Sequence, residues 1–225
     1  MTLTSSTQCL LLVGPQRSKV TATTFSELKA TIRNTPGLTF LADVIVELES
    51  IWPEIVTACP ELERVQGKEI LQSLREFFEQ DDLPAFEEEP AKRSNILFDV
   101  MTVLSQAVDF WNLAKTQVRS FYPSTSSTNA FQLRDIQGFC IGFLTAAAIS
   151  SSKNAVDFQK NITVALRLAV CAGALVELDS LRFSMSQDRA VSLSVGWNSD
   201  SEYVIFKELL KSHPSVSQTF EIKLS

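Results

Sequence analysis

Apolar residues in this chain recur in two rhythms. Between residues 38 and 56 they fall at Leu41, Val44, Ile45, Leu48, Ile51 and Trp52, the three-and-four spacing that lines one side of a helix. Pro53 is expected to end or kink that stripe. The same spacing runs through Ile70, Leu71, Leu74, Phe77 and Phe78 in residues 69–80, and through Leu97, Met101, Leu104, Val108, Trp111 and Val118 in residues 94–118. Residues 25–34 predict a shorter helix, with Thr24 as its cap and Pro36-Gly37 as its stop. Two further helices are expected, an alanine-rich one over residues 143–149 and a long one over residues 154–178 capped by Asn154. The second rhythm is that of strands. Residues 9–13 form an unbroken apolar run closed by Gly14-Pro15. Residues 131–136 alternate in part, and Val191–Val195 alternates as VSLSV. The chain then predicts a helix over residues 201–211 and a weak strand over 219–224. Residues 81–90 and 122–130 are polar and read as loops. The succession predicts a helix-rich α/β fold.

One junction between the two rhythms carries candidate chemistry. In Gln137-Gly138-Phe139-Cys140-Ile141-Gly142-Phe143 a cysteine lies between two glycines, after a strand-like and before a helix-like segment. Such a tight elbow presents a nucleophile, as G-x-S-x-G does with serine. Gly138 and Gly142 remove side chains where the turn is crowded. A helix N-terminus favours the thiolate, the reactive form. The backbone N–H of Ile141, next after the nucleophile, is a natural donor to an oxyanion. The competing reading of Cys140 is a buried, inert small hydrophobe.

Composition narrows the field. The 225 residues carry a net charge of −6 and a pI near 4.9, which argues against nucleic acid as partner, since that needs a basic face. Cys9, Cys59 and Cys171 are scattered without metal-ligand spacing and are expected to pack as small hydrophobes. With one histidine, a structural zinc site is not expected. The first residues lack the basic start of a secretory signal. The longest apolar stretches, residues 139–149 and 164–176, fall short of a membrane span or carry Arg167. A soluble, cytoplasmic protein with free thiols is expected, with no membrane association.

The stretch from Gly138 to Asp179, GFCIGFLTAAAISSSKNAVDFQKNITVALRLAVCAGALVELD, resembles the starter-unit acyl carrier protein transacylase domain of fungal non-reducing polyketide synthases. That family pairs a G-x-C-x-G nucleophile and an alanine-rich helix with a second helix holding an A-x-R-x-A-like core. Leu10-Leu11-Leu12-Val13-Gly14-Pro15-Gln16 is similar to the family's opening strand and F-G-x-Q-like turn. The resemblance runs from about Gln8 to the region of Trp197. It implies a hydrolase-like acyltransferase core with the beginning of a small ferredoxin-like subdomain, divided as residues 1–185 and 186–225. It implies Cys140 as the acylated nucleophile, and the N–H of Gln16 as a second oxyanion donor facing that of Ile141. The donor is then acyl-CoA or an acyl carrier, and the acceptor is the phosphopantetheine thiol of an acyl carrier protein. No bound cofactor or metal is implied, and the remaining polyketide synthase domains are the further partners.

The family pairs its cysteine with a histidine far downstream. The one histidine here, His213 in Lys211-Ser212-His213-Pro214, does not have that context. It is expected to be a surface residue out of reach of Cys140. The chain therefore reads as truncated relative to the family, a fragment with restricted activity alone. Two alternatives stand beside it: a non-catalytic remnant acting as a helical scaffold or interaction module, and another cysteine-dependent α/β hydrolase.

Overall fold

The structure, a computed structural model, describes residues 8–14, 22–80, 94–117 and 132–185, with residues 204 and 208. Gln16, His213, the two polar loops, the strands expected at 191–195 and 219–224 and most of the helix expected at 201–211 lie outside the described residues. Val204 and Glu208, within that last range, are helical.

The chain opens on β1 (Gln8–Val13) and continues through α1 (Ala22–Asn34), α2 (Phe40–Glu47), α3 (Trp52–Ala58), α4 (Gly67–Glu79) and α5 (Asn95–Gln117). Then come β2 (Gln132–Gly138), α6 (Gly142–Ser150) and α7 (Ala155–Met185). The two strands pair in parallel, with Gln8 opposite Gln132 and Val13 opposite Gly138, and the register shifts between Cys9 and Leu10. Parallel neighbours need a long crossover, and α1 to α5 supply it. The result is a helix-rich α/β fold with a small parallel sheet. The chain divides into two compact units, residues 1–179 and 180–225. Among the described residues the second holds the end of α7, Val204 and Glu208.

Four expectations change. The stripe over residues 38–56 is not one helix: a 3-10 turn at Leu48–Ile51 separates α2 from α3. Pro53 opens α3 rather than ending a helix, because a first-turn position needs no donor N–H. α1 starts at Ala22, so Thr24 falls inside its first turn instead of before it, in keeping with the helix preference of alanine. α7 runs seven residues past the expected Leu178, to Met185. The apolar stretch within it, Ala155–Arg182, is by length and composition long enough to cross a membrane. Its inner side, with Phe158, Ile162, Leu166, Ala169, Val170 and Ala174, is buried in the core. Its outer side shows Val164, Leu168, Leu175 and Val176, and Arg167, which lies 3.8 Å from Glu47.

The core is built mainly by helices. Ile32, Leu38, Leu41, Ile45, Leu71, Leu74, Ile96, Val100 and Leu104 are essentially inaccessible to solvent. The Trp52 ring lies over Gly67, and the Trp111 ring against Gly37. Polar groups fix the helix ends. α7 is capped as expected: Asp157 N–H donates to Asn154 Oδ1 (3.0 Å), and Asn154 Nδ2 donates back to Asp157 Oδ2 (3.1 Å), a reciprocal cap. Ser94 caps α5 by accepting from Leu97 N–H (3.3 Å), and its hydroxyl donates to Glu177 Oε1 in α7 (2.6 Å). The last turn of α4 has carbonyls without intrahelical partners, and α1 supplies donors for them. Lys29, buried, donates from Nζ to the carbonyls of Phe77 and Gln80, both at 2.5 Å, with its ammonium 4.7 Å from the centre of the Phe77 ring. Arg33, one turn on, donates to the carbonyl of Phe78. Two cations at the carbonyl end of a helix also suit its dipole.

Candidate active site

The glycine-flanked cysteine lies on a strand–turn–helix elbow. β2 ends at Gly138, and the ladder continues for one more bond, from Phe139 N–H to Val13 O (2.9 Å). The chain then turns at Cys140, whose φ of 56° puts it in the left-handed region. It is the one non-glycine residue in that region among the described residues. Such a backbone costs an L-residue about 1–2 kcal/mol. Strain of this kind persists where the surroundings impose it. Gly142 N–H donates to Phe139 O (3.1 Å), Phe143 N–H to Cys140 O (3.0 Å) and Leu144 N–H to Ile141 O (3.1 Å), and α6 proceeds from there.

The two glycines are what lets the elbow close. A Cβ on Gly138 would lie 2.5 Å from Phe143 Cα and 2.7 Å from Gly142 O. One on Gly142 would lie 2.6 Å from the carbonyl oxygens of both Val13 and Gly14. The first turn of α6 therefore packs directly on the end of β1, and Cys140 stands above that contact. The Cys140 side chain is exposed, flanked by exposed Phe139 and Phe143. Cys59 and Cys171 are free but half-buried, and burial pushes the Cys171 thiol above its ordinary pKa. Cys59 packs against the hydrophobic core, as expected. Cys140 differs from them in exposure and in backbone.

A polar bridge beside the elbow escaped sequence reasoning. Gln106, midway along α5, donates from Nε2 to the carbonyl of Gly14 (2.5 Å). Its Oε1 accepts from the hydroxyl of Thr145 in α6 (2.7 Å), and Thr145 is fully buried. One amide thus joins β1, α5 and α6 around the contact on which Cys140 stands. The sequence signals it weakly: Thr145 is a polar residue in an otherwise apolar stretch, but Gln106 is one of several polar residues in α5. Next to the bridge a cavity of about 490 Å³ is lined by Leu11 to Gly14, Gln106, Asp109, Phe110, Leu113 and Ile149. Desolvation raises the Asp109 carboxyl above its ordinary pKa. Of the residues expected to form the site, the structure describes Gly138, Cys140, Ile141 and Gly142 and brings them together in one turn.

The chain is thus a helix-rich α/β protein that presents a glycine-flanked thiol on a strand–turn–helix junction. Residues 21–216 match the family model described as starter unit:ACP transacylase in aflatoxin biosynthesis, and the chain belongs to that family. It is 36% identical over 208 residues to the non-reducing polyketide synthase mapC of Penicillium roqueforti, which covers 92% of this chain and 8% of the relative. To the non-reducing polyketide synthase nvfA of Aspergillus novofumigatus it is 34% identical over 204 residues, 91% of this chain and 8% of the relative. The pigA synthase of Monascus ruber is 26% identical over 91% of the chain and 7% of its own length. The chain thus spans less than a tenth of the length of these relatives.

Proposed function

We propose that Cys140 carries a starter acyl group between two thioesters, taking it from acyl-CoA or an acyl carrier and passing it to the phosphopantetheine thiol of an acyl carrier protein. The observation that carries this reading is the exposed Cys140 in left-handed backbone between β2 and α6, with glycines where any Cβ would collide. Its thiolate adds to the donor's carbonyl carbon, a C–S bond forms, and the carbonyl oxygen becomes an oxyanion. The N–H of Ile141 donates to that oxygen, and by family resemblance so does the N–H of Gln16. Collapse breaks the donor's C–S bond, and the departing thiolate takes a proton from solvent. The reverse sequence on the carrier thiol completes transfer.

Each addition needs a thiolate, and each departure is helped by a proton donor. His213 does not have the family's histidine context, so the proposed behaviour of this chain alone is one acylation of Cys140 followed by slow transfer. General acid–base help is commonly worth about 10²–10⁴-fold. In this reading the core is hydrolase-like, a ferredoxin-like subdomain begins after it, the other synthase domains are partners, and the reaction runs in the cytoplasm, where thiols stay reduced.

Intact-protein mass spectrometry tests the reading. The chain is incubated with short acyl-CoA donors, with and without a phosphopantetheinylated carrier protein. A single acyl adduct that disappears in Cys140→Ala supports it. Fast multiple turnover shows that a base is supplied within the chain. No adduct with any donor assigns the chain to the non-catalytic interaction module instead.

A further inference from the structure

We infer that Gln106 is a positioning residue for acyl transfer, setting where β1 ends relative to the Cys140 elbow. The inference rests on the acyl-transfer reading above and deepens it. Three observations support it. The Gln106 amide reaches the last described residue of β1's exit, Gly14, at 2.5 Å, and the buried Thr145 hydroxyl at 2.7 Å. Gly14 in turn touches the start of α6, where Gly142 has no room for a Cβ. The second proposed oxyanion donor, Gln16, follows Gly14 by two residues.

The two halves of the amide act differently. The Gly14 carbonyl can only accept, so it fixes which way the amide faces and leaves Oε1 to accept the Thr145 hydroxyl proton. The NH₂ half is then turned to the Gly14 carbonyl. The two bonds together join the end of β1, through α5, to the helix that follows the nucleophile, by a route independent of the β1–β2 ladder. An oxyanion is stabilised only by donors already in place when it forms. A misplacement of about 1 Å at a reacting centre can cost about 100-fold. A residue that fixes the spacing between the two sides of the site acts on the tetrahedral step, and not on the thiol itself.

That distinction gives the experiment. Acylation of Cys140 by an acyl-CoA passes through an oxyanion. Alkylation by iodoacetamide is a displacement at saturated carbon and forms none. Both rates are measured on the full chain by intact mass, and their ratio is compared between variants. Gln106→Glu keeps the side-chain length and an acceptor for Thr145 but sets an acceptor against the Gly14 carbonyl. Gln106→Leu removes both bonds. The expected result is a fall in the acylation-to-alkylation ratio of about tenfold or more in both variants. Should neither variant fold, as judged by circular dichroism, Thr145→Val, which removes the bond that ties the amide to α6, is expected to lower the ratio in the same direction. If the parent acylates and the ratio is unmoved in every folded variant, or both rates fall together, Gln106 is a structural residue only and the inference is overturned while the acyl-transfer reading stands. If the parent alkylates at Cys140 but accepts no acyl group, the acyl-transfer reading fails, and the role of Gln106 falls with it.

Discussion

The elbow and the helical block are held together by opposite means. At the elbow, Gly138 and Gly142 bring main chain against main chain, and the neighbours that a Cβ would meet are mostly backbone atoms. In the block, α1 meets α4 through long side chains, with Lys29 and Arg33 reaching the free carbonyls of the last turn. Around them, leucine, isoleucine and phenylalanine side chains interdigitate. Backbone contact leaves no atom that can swing aside, so a small change there is all-or-none. Side-chain contact can relax, so changes in the block are graded.

The sharpest way to break this contrast is Gly142→Ala. Its methyl group would collide with two carbonyl oxygens, and α6 would have to lift off β1. A loss above about 4 kcal/mol is expected, seen as an insoluble chain or a melt without a cooperative transition. Gly14→Ala, where the added Cβ meets nothing within 4 Å, is the matched control and should melt close to the parent. Equal behaviour of the two variants would refute the close approach. Next in size is Lys29→Met, which keeps the stem but removes both bonds to α4 and the contact with the Phe77 ring. A loss of about 2–3 kcal/mol is expected by urea unfolding, with the transition still cooperative.

A smaller effect concerns charge within the block. Asp99 in α5 is half-buried; desolvation, with Glu177 as a second cause, raises its pKa from 3.8 to about 6. The folded state therefore holds that proton more tightly than the unfolded chain. This contribution lowers stability as pH rises from about 4 to about 6 and is constant above. Asp99→Asn should flatten that slope and raise stability at pH 8 by about 1 kcal/mol, after allowance for solvent screening at a partly exposed site. Denaturant titrations at pH 4 and pH 8 measure it, and an unchanged slope would assign the dependence elsewhere. Smallest is Cys140→Gly, expected to stabilise by about 0.5–1 kcal/mol by releasing left-handed strain. Cys140→Ala, which keeps the strain, should not. A gain in both would mean that the thiol rather than the backbone is the source.

What could be read from the sequence follows from the same contrast. The elbow was legible because its cause is local: glycines at fixed spacing around a cysteine leave few backbone alternatives. The main helices were legible from their stripes, and Asn154 from its place before one. The break at Leu48–Ile51 was not, because a 3-10 turn changes the pitch for four residues and scarcely disturbs the apolar spacing. The Gln106 bridge was not, because Gly14 lies 92 residues from it in sequence, and one glutamine among the several polar residues of α5 has no pattern. The clamp from α1 to α4 was hidden for the same reason: it joins basic residues to main-chain carbonyls, which carry no signal in side-chain letters.

The buried indoles have a spectroscopic consequence. Trp52 and Trp111 are almost wholly screened from water, one lying over Gly67 and the other against Gly37, and both belong to the helical block. Their emission should shift to the red when that block opens. β2, the turn and α6 carry no tryptophan, so the elbow has no such chromophore of its own. The light from these two indoles and thiol chemistry thus look at different parts of one molecule; the third tryptophan, Trp197, lies outside the described residues. A variant can leave the fluorescence melt untouched while changing how Cys140 reacts, and a stability screen read only by emission would pass over the lesions that matter most at the sulfur.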